Sequence, residues 1–144
     1  MSESLWGNIA EPDVQSVSEI LARQAEILYH ATTGRVRASS TAVPREERSH
    51  PGTVYLQFAY EFGLFSEKLN GFYFRMFRFA HNIELYPVVF TDIDEMVLAE
   101  FGVDSSARFS HTVSRPEEAM GFIGNVLKTA RVSSVVAGMR KMSK

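Results

Sequence analysis

Aromatic side chains are concentrated in one block of this chain. Twelve of its seventeen aromatic residues fall within residues 54–90, where polar residues are interleaved at a spacing of two. Such alternation is typical of β-strands, because successive side chains of a strand point to opposite faces of the sheet. Aromatic residues are also enriched in strands. The block therefore predicts an antiparallel sheet that supplies the core of the fold.

Length and composition predict one soluble domain. The chain has 144 residues, close to the commonest domain size. Its composition is 45% hydrophobic and 22% charged, and no apolar run approaches the roughly 20 residues of a membrane helix. Four acidic residues precede the first base, Arg23, which is unlike a secretory signal. We therefore expect a single domain over residues 1–144, located in the cytoplasm and without a membrane span.

Periodicity predicts an N-terminal helix followed by a sheet. Apolar residues at helical spacing indicate a helix between residues 14 and 32, and alternation indicates four antiparallel strands in a meander. The predicted strands are residues 35–42, 53–62, 72–80 and 83–90. We expect the first strand to be peripheral and the third to be central, because apolar residues occupy both faces of the third. The fourth should be an edge, because Pro87 cannot donate a ladder hydrogen bond.

The last third of the chain predicts two or three helices. Residues 91–101 favour a short helix over a fifth strand, because acidic residues resemble a capping box at their start. Ser114 and Pro116 indicate the start of a second helix. Ser133 or Ser134 can cap a last one. The expected fold class is α+β, with one helix, a four-stranded antiparallel meander and two or three C-terminal helices.

No constellation of reactive groups accompanies the expected fold. The chain has no cysteine, which excludes disulfides, thiolate metal sites and cysteine nucleophiles. It has neither a glycine-rich phosphate loop nor a nucleophile elbow, and its four histidines lack the spacing of a helical metal site. His81 is the best histidine candidate, although a hydrogen bond to a turn carbonyl is the favoured explanation of it. The sequence therefore favours a non-enzymatic protein without cofactor or metal.

Arg75 and Arg78 lie among aromatic residues, a combination also found on RNA-binding sheets. Strict alternation places the two arginines on opposite faces of the predicted strand, and the net charge of the chain is -2. No single face then combines both charges with stacked rings. The sequence therefore argues against nucleic-acid binding.

Charge is unevenly distributed along the chain. Residues 84–104 contain six acidic residues and neither Lys nor Arg, whereas the residues after Glu118 contain five basic residues and no acid. A segment with acids alone can complement a basic partner and accelerate its association. The candidate partner-binding residues are Glu84, Tyr86, Asp92, Asp94, Glu95 and Glu100.

A stretch of fourteen residues carries a family resemblance. Residues 75–88 read RMFRFAHNIELYPV, with the pattern R-x-F-x-x-x-H-x-I-x-L-Y-P-V. This pattern resembles a strand pair of small, largely uncharacterised bacterial proteins that begin with a similar amphipathic helix and end in two helices. Proteins of that size and layout are frequent among immunity proteins of bacterial toxin systems. The resemblance implies a protein that binds and neutralises a cognate toxin, and this is our leading hypothesis.

Two other interpretations remain open. A small-molecule-binding or enzymatic domain would have a pocket between sheet and helices, lined by Arg75, His81 and Tyr86. A homodimeric interaction protein would use the aromatic third strand, whose two-sided apolar surface exceeds what one covering layer needs.

Overall fold

The computed structural model describes residues 3–104 and 109–144, which form an α+β fold with a five-stranded antiparallel sheet in chain order. The helices are α1 (Val17–Ala31), α2 (Glu95–Glu100), α3 (Pro116–Leu127) and α4 (Ala130–Met142). The strands are β1 (Arg37–Ala42), β2 (Phe58–Phe65), β3 (Tyr73–His81), β4 (Val88–Thr91) and β5 (Ser110–Val113). No helix within these two ranges has the length and apolar character that crossing a membrane requires.

The α+β class, the peripheral β1 and the central β3 are confirmed, but the prediction of four strands was wrong. β5 pairs with β4, so β4 is not an edge. Pro87 lies just before β4 rather than within it, and its missing N–H therefore does not interrupt the ladder. β5 has only four residues. So short a strand gives too little alternation to be found from the sequence.

Polar side chains define where the helices begin. Ser16 and Glu19 form a reciprocal capping box at the start of α1. Asp94 accepts the first backbone N–H bonds of α2, which confirms the short helix expected within residues 91–101. Thr129 caps α4, several residues earlier than the two serines that the sequence suggested. The described residues after β4 therefore include three helices, and only Lys128 and Thr129 separate α3 from α4.

The core lies between one face of the sheet and the helices. Phe62, Phe77, Phe79 and Phe90 are fully buried there, and the Phe90 ring lies 4.7 Å from that of Phe122 on α3, measured between centroids. Each buried phenylalanine stabilises the fold by roughly 1.5–3 kcal/mol relative to exposure. The aromatic block therefore supplies the centre of the core, as its density predicts, although Tyr55, Phe72 and Tyr73 of the same block are exposed.

A β-bulge in β3 breaks the regular alternation of this block. Phe62 pairs with Phe77, whereas the next residue of β2, Gly63, pairs with Arg75. Met76 is therefore the extra residue of a bulge. Met76 and Phe77 follow each other in sequence, yet both are fully buried.

The bulge brings Arg75 and Arg78 to the same face of the sheet, the one without helices. Both guanidinium groups lie within 4.0 Å of the Glu61 carboxylate. The interpretation that β3 is apolar on both faces was therefore wrong. The inference that Arg75 and Arg78 lie on opposite faces was wrong as well. Both inferences assumed that side chains alternate between the faces without interruption along the whole strand.

The loop between β1 and β2 covers one end of the helix-free face. Val43, Ala59 and Ala80 form a small buried cluster beneath it. The Arg48 guanidinium donates hydrogen bonds to the backbone carbonyls of Val43 and Leu56, which holds the two ends of the loop together. Tyr73 and Arg75, at the other end of this face, are exposed.

We predict that Gly63→Ala lowers the free energy of unfolding by about 1–3 kcal/mol, because the added methyl group overpacks a close contact. A Cβ at this position would overlap the Tyr73 ring and lie 2.7 Å from the carbonyl oxygen of Phe74. The ring can turn away, but the carbonyl belongs to the β2–β3 ladder. Urea unfolding measures the change.

Gly124→Ala is the control for this prediction. A Cβ at Gly124 in α3 meets nothing within 4 Å. This substitution should stabilise the fold by up to about 1 kcal/mol through helix propensity. Equal stability of Gly63→Ala and the natural protein would contradict the close approach.

Candidate functional site

A charged cluster occupies the centre of the helix-free face. Arg78 Nε lies 3.0 Å from Glu61 Oε1, and Arg78 Nη1 donates to the carbonyl oxygen of Glu47 at 3.1 Å. Arg75 Nη1 lies 3.9 Å from the same carboxylate oxygen. The Arg75 side chain is 47% exposed, against 19% for Arg78. Arg78 is thus fixed by the fold, whereas Arg75 presents its charge to solvent.

Tyr73 extends this cluster along the face. Its ring lies across Gly63, the position where β2 has no side chain. Burial and the Glu61 carboxylate, which accepts a hydrogen bond from the phenol, raise the pKa of Tyr73 well above its ordinary value, although Arg75 and Arg78 oppose the shift. The phenol is therefore a neutral hydrogen-bond donor at physiological pH.

An open cleft of about 480 Å³ lies where β3 begins and the segment after β4 enters α2. Its ionisable side chains are Tyr73, Arg75, Asp92, Asp94, Glu95 and Arg131. The cleft thus brings together three of the predicted partner-binding acids and one arginine of the predicted pocket. Asp92 has a positive φ of 51°, a conformation that few residues other than glycine adopt.

Asp94 has a structural role inside this cleft. Its carboxylate accepts hydrogen bonds from the backbone N–H groups of Met96 and Val97 at the start of α2. The same carboxylate lies 3.3 Å from Arg131 Nε, and the Arg131 guanidinium stacks on the Phe74 ring at 5.1 Å. Asp94 therefore joins α2 to α4 at the wall of the cleft.

Glu100 also has a structural role, but outside the cleft. Its two carboxylate oxygens accept hydrogen bonds from the backbone N–H groups of Ala130 and Arg131 at 2.9 and 2.8 Å. These donors belong to the first turn of α4, where a negative charge complements the helix dipole. Glu100 thus forms a second link between α2 and α4.

Glu84 and Tyr86 lie before β4, whereas Asp92 follows it. The four residues of β4 separate the two groups by roughly 13 Å. Tyr86 Oη donates to the carbonyl oxygen of Gln15 at 2.8 Å, which ties the turn before β4 to the start of α1. Burial, followed by nearby glutamates, raises the pKa of Tyr86. Of the six predicted residues, only Asp92, Asp94 and Glu95 share one cavity.

The predicted pocket residues Arg75, His81 and Tyr86 do not converge. Arg75 and His81 are six residues apart on β3, or roughly 20 Å. The cavity lined by Arg75 contains neither of the other two side chains. His81 is buried, and its Nδ1 lies 2.7 Å from the carbonyl oxygen of Asn82, the kind of turn contact that the sequence favoured.

A separate cavity of about 210 Å³ lies between the sheet and the helices. It has the position expected for a small-molecule pocket, but a different lining. Gln24 is its one polar lining residue, and the others are Ile27, Leu28, Ala31, Ala38, Phe62, Leu64, Met76, Leu127, Val132 and Val136. Such a lining offers apolar contacts and no acid–base group.

Histidines and carboxylates do not gather into a metal site in the described ranges, where no group of three could hold an ion. His111 stacks on the Phe122 ring at a centroid distance of 4.4 Å. His50 is buried, and its Nε2 has no hydrogen-bond partner.

Comparison with known proteins supplies no relative. Neither a family model, nor a curated protein, nor a solved structure matches the chain.

We predict that Glu61→Gln lowers the free energy of unfolding by about 1–3 kcal/mol, because it removes a largely buried charged acceptor from two arginines. The exposed pair of Arg23 and Glu26 provides the control. Glu26→Gln should change stability by less than about 0.5 kcal/mol, since exposed ion pairs contribute little. Chemical denaturation of both variants tests the difference, and equal effects would show that the cluster does not stabilise the fold.

Proposed function

We propose that this chain is a non-enzymatic protein-binding domain that acts in the bacterial cytoplasm as the immunity protein of a toxin. Its contact surface centres on the open cleft beside α2. The observation that carries the proposal is the clustering of Asp92, Asp94 and Glu95 in that cleft, next to exposed apolar surface.

The charge of this region fits a basic partner. Asp92, Asp94 and Glu95 of the acidic segment 84–104 line the cleft, and that segment contains no Lys or Arg. Arg131 and Arg75 are each close to a carboxylate of the protein itself, namely Asp94 and Glu61. Electrostatic complementarity of this kind accelerates association and selects the partner.

Apolar side chains next to the acids supply an anchor. Met96 is 57% exposed and Phe101 is 39% exposed, and both belong to α2 or its C-terminal cap. Binding energy in protein interfaces is concentrated in a few such side chains surrounded by polar groups. Met96 also lines the cleft, so one partner could contact it together with the carboxylates.

The cleft is preorganised for such a contact. Asp94 and Glu100 hold α2 against the first turn of α4 through an ion pair and two hydrogen bonds to backbone N–H groups. A partner would therefore meet a formed surface and avoid much of the entropy cost of ordering it.

The test is co-expression with the product of the adjacent gene, followed by a pull-down and a growth-rescue assay. We expect Glu95→Lys to weaken the complex about tenfold at low salt and Met96→Lys to cost about 2 kcal/mol of binding free energy. Glu26→Lys, an exposed charge reversal on α1, is the matched control and should rescue growth like the natural protein. Absence of both complex and rescue, or full binding by Glu95→Lys, would overturn the proposal.

The apolar cavity favours a second candidate function, the binding of a small apolar molecule. Apolar cavities of about 150 Å³ bind benzene, and this one has about 210 Å³. Phe62, Leu64 and Met76 form a buried floor, and Gln24 can accept or donate one hydrogen bond to a polar end group.

We expect the cavity to bind straight-chain alcohols with an affinity that rises about fourfold for each methylene until the cavity is full. Ala38→Leu should abolish binding by filling the cavity, because Ala38 lines it. Ser40→Leu is the matched control, since Ser40 lies two residues along the same strand and is exposed. Ligand-induced thermal shifts measure the series. A response without chain-length dependence, or undiminished binding by Ala38→Leu, would exclude this function.

A further inference from the structure

The segment before α1 exposes large apolar side chains. Leu5, Trp6 and Ile9 are 98%, 78% and 73% exposed. In the described part of the chain, residues 3–14 make only two hydrogen bonds, both local and both to side chains within the segment. Exposed apolar groups gathered in one stretch indicate a surface that meets a partner.

The same segment is acidic. Glu3, Glu11 and Asp13 lie in it, and the first basic residue of the chain is Arg23. None of the ion pairs found among the described residues includes any of these three acids. We refer to residues 3–14 as the arm.

An apolar groove of about 230 Å³ lies at the other end of the molecule, between the β2–β3 turn and α4. Its apolar side chains are Leu69, Phe72, Val135, Met139 and Met142. Phe72 is 45% exposed and Met142 is 73% exposed. Cavities of about 150 Å³ bind benzene, so a groove of this size accommodates the larger indole ring.

Four basic residues lie close in sequence to the residues that line this groove. Lys68 precedes Leu69, and Arg140, Lys141 and Lys144 lie on or just beyond the last turns of α4. The ion pairs between described residues include none of these four cations. Glu67, the neighbouring acid, is paired with Arg37 at 3.2 Å. The arm and the groove are thus both apolar, and the sequence around the groove is basic whereas that of the arm is acidic.

We propose that the arm of one copy of this chain binds in the groove of a second copy, with Trp6 as its anchor. The reciprocal contact closes a dimer with twofold symmetry, in which the arm and groove of each copy are both used. This arrangement uses surfaces other than the aromatic face of β3, which the helices cover.

The positions of arm and groove favour a second copy over the chain's own groove. The hydrogen bond from Tyr86 to Gln15 fixes the start of α1 at the β3–β4 turn. The hydroxyl oxygens of Ser66 and Ser143, 2.9 Å apart, fix the end of α4 at the opposite end of the sheet. The 15 residues of α1 span about 22 Å. Trp6 would have to fold back over that whole distance and use about two thirds of the reach of the nine residues that join it to Gln15, which a second copy does not require.

Trp6 is the only tryptophan, so its fluorescence reports on the arm directly. We expect its emission to shift to shorter wavelength as protein concentration rises, in step with a change from monomer to dimer mass in sedimentation. Trp6→Ala should remain monomeric. Tyr55→Ala, which removes another aromatic ring that is 90% exposed, should dimerise like the natural protein.

Gly138→Glu tests the groove without disturbing the fold. Gly138 lines the groove, is exposed, and has nothing within 4 Å of an added Cβ. The new carboxylate would repel the acidic arm, and the variant should be monomeric with solvent-exposed Trp6 emission. Gly121→Glu makes the same change at an exposed, open site on α3 and is the matched control. Lys141→Glu alone should weaken dimerisation. Adding Glu11→Lys to that variant should restore it, because the opposite charges are then exchanged between arm and groove.

Three outcomes would overturn the proposal. The first is a monomer with solvent-exposed Trp6 emission at all concentrations. The second is a monomer whose Trp6 emission is shifted independently of concentration, which would place the arm on its own chain. The third is a dimer that survives both Trp6→Ala and Gly138→Glu, which would indicate a different interface.

Discussion

The extra residue Met76 in β3 determines how the two faces of the sheet differ. Without it, the period of two would place Arg75 under the helices or Phe77 in solvent. With it, the consecutive residues Met76 and Phe77 both reach the core, and Arg75 and Arg78 both reach the open face beside Glu61. An apolar face for the helices and a charged face for solvent thus depend on one insertion in one ladder.

Polar contacts as well as apolar packing fix the helices to the sheet and to one another. Tyr86 bonds the backbone before α1, Asp94 caps α2 and pairs with Arg131, and Glu100 caps α4. Three of the residues that the sequence suggested for partner binding are therefore engaged within the fold. This does not remove them from the surface, but it makes them parts of a fixed framework around the cleft.

The class of fold follows from the sequence because it depends on strong local signals. Helical spacing, the capping box of Ser16 and Glu19, and the density of aromatic residues each indicate their element without reference to the rest of the chain. The short strand β5 lacked such a signal. The bulge did leave a sequence signal, because the adjacent apolar residues Met76 and Phe77 break the strict alternation of polar and apolar residues. The same pattern has a simpler interpretation, however, as a strand with apolar residues on both faces.

The candidate site was less accessible to sequence analysis because it depends on which strand ends meet. Segment 84–104 is acidic throughout, yet β4 divides it and sends Glu84 and Asp92 to opposite ends of the sheet. Likewise, Arg75 and His81 belong to one strand whose length alone keeps them apart. Composition reports the charge of a segment, whereas only tertiary structure reports how that charge is shared among surfaces.

Helix α4 forms part of three separate cavities. Arg131 lies in the cleft, Val132 and Val136 line the apolar cavity, and Val135 and Gly138 line the groove. An occupant that displaced this helix in one cavity would change the binding free energy of an occupant in the others, and the effect would be mutual and equal in size. Because all three cavities share α4, this helix is the element through which occupation of one of them would be linked to binding in the others.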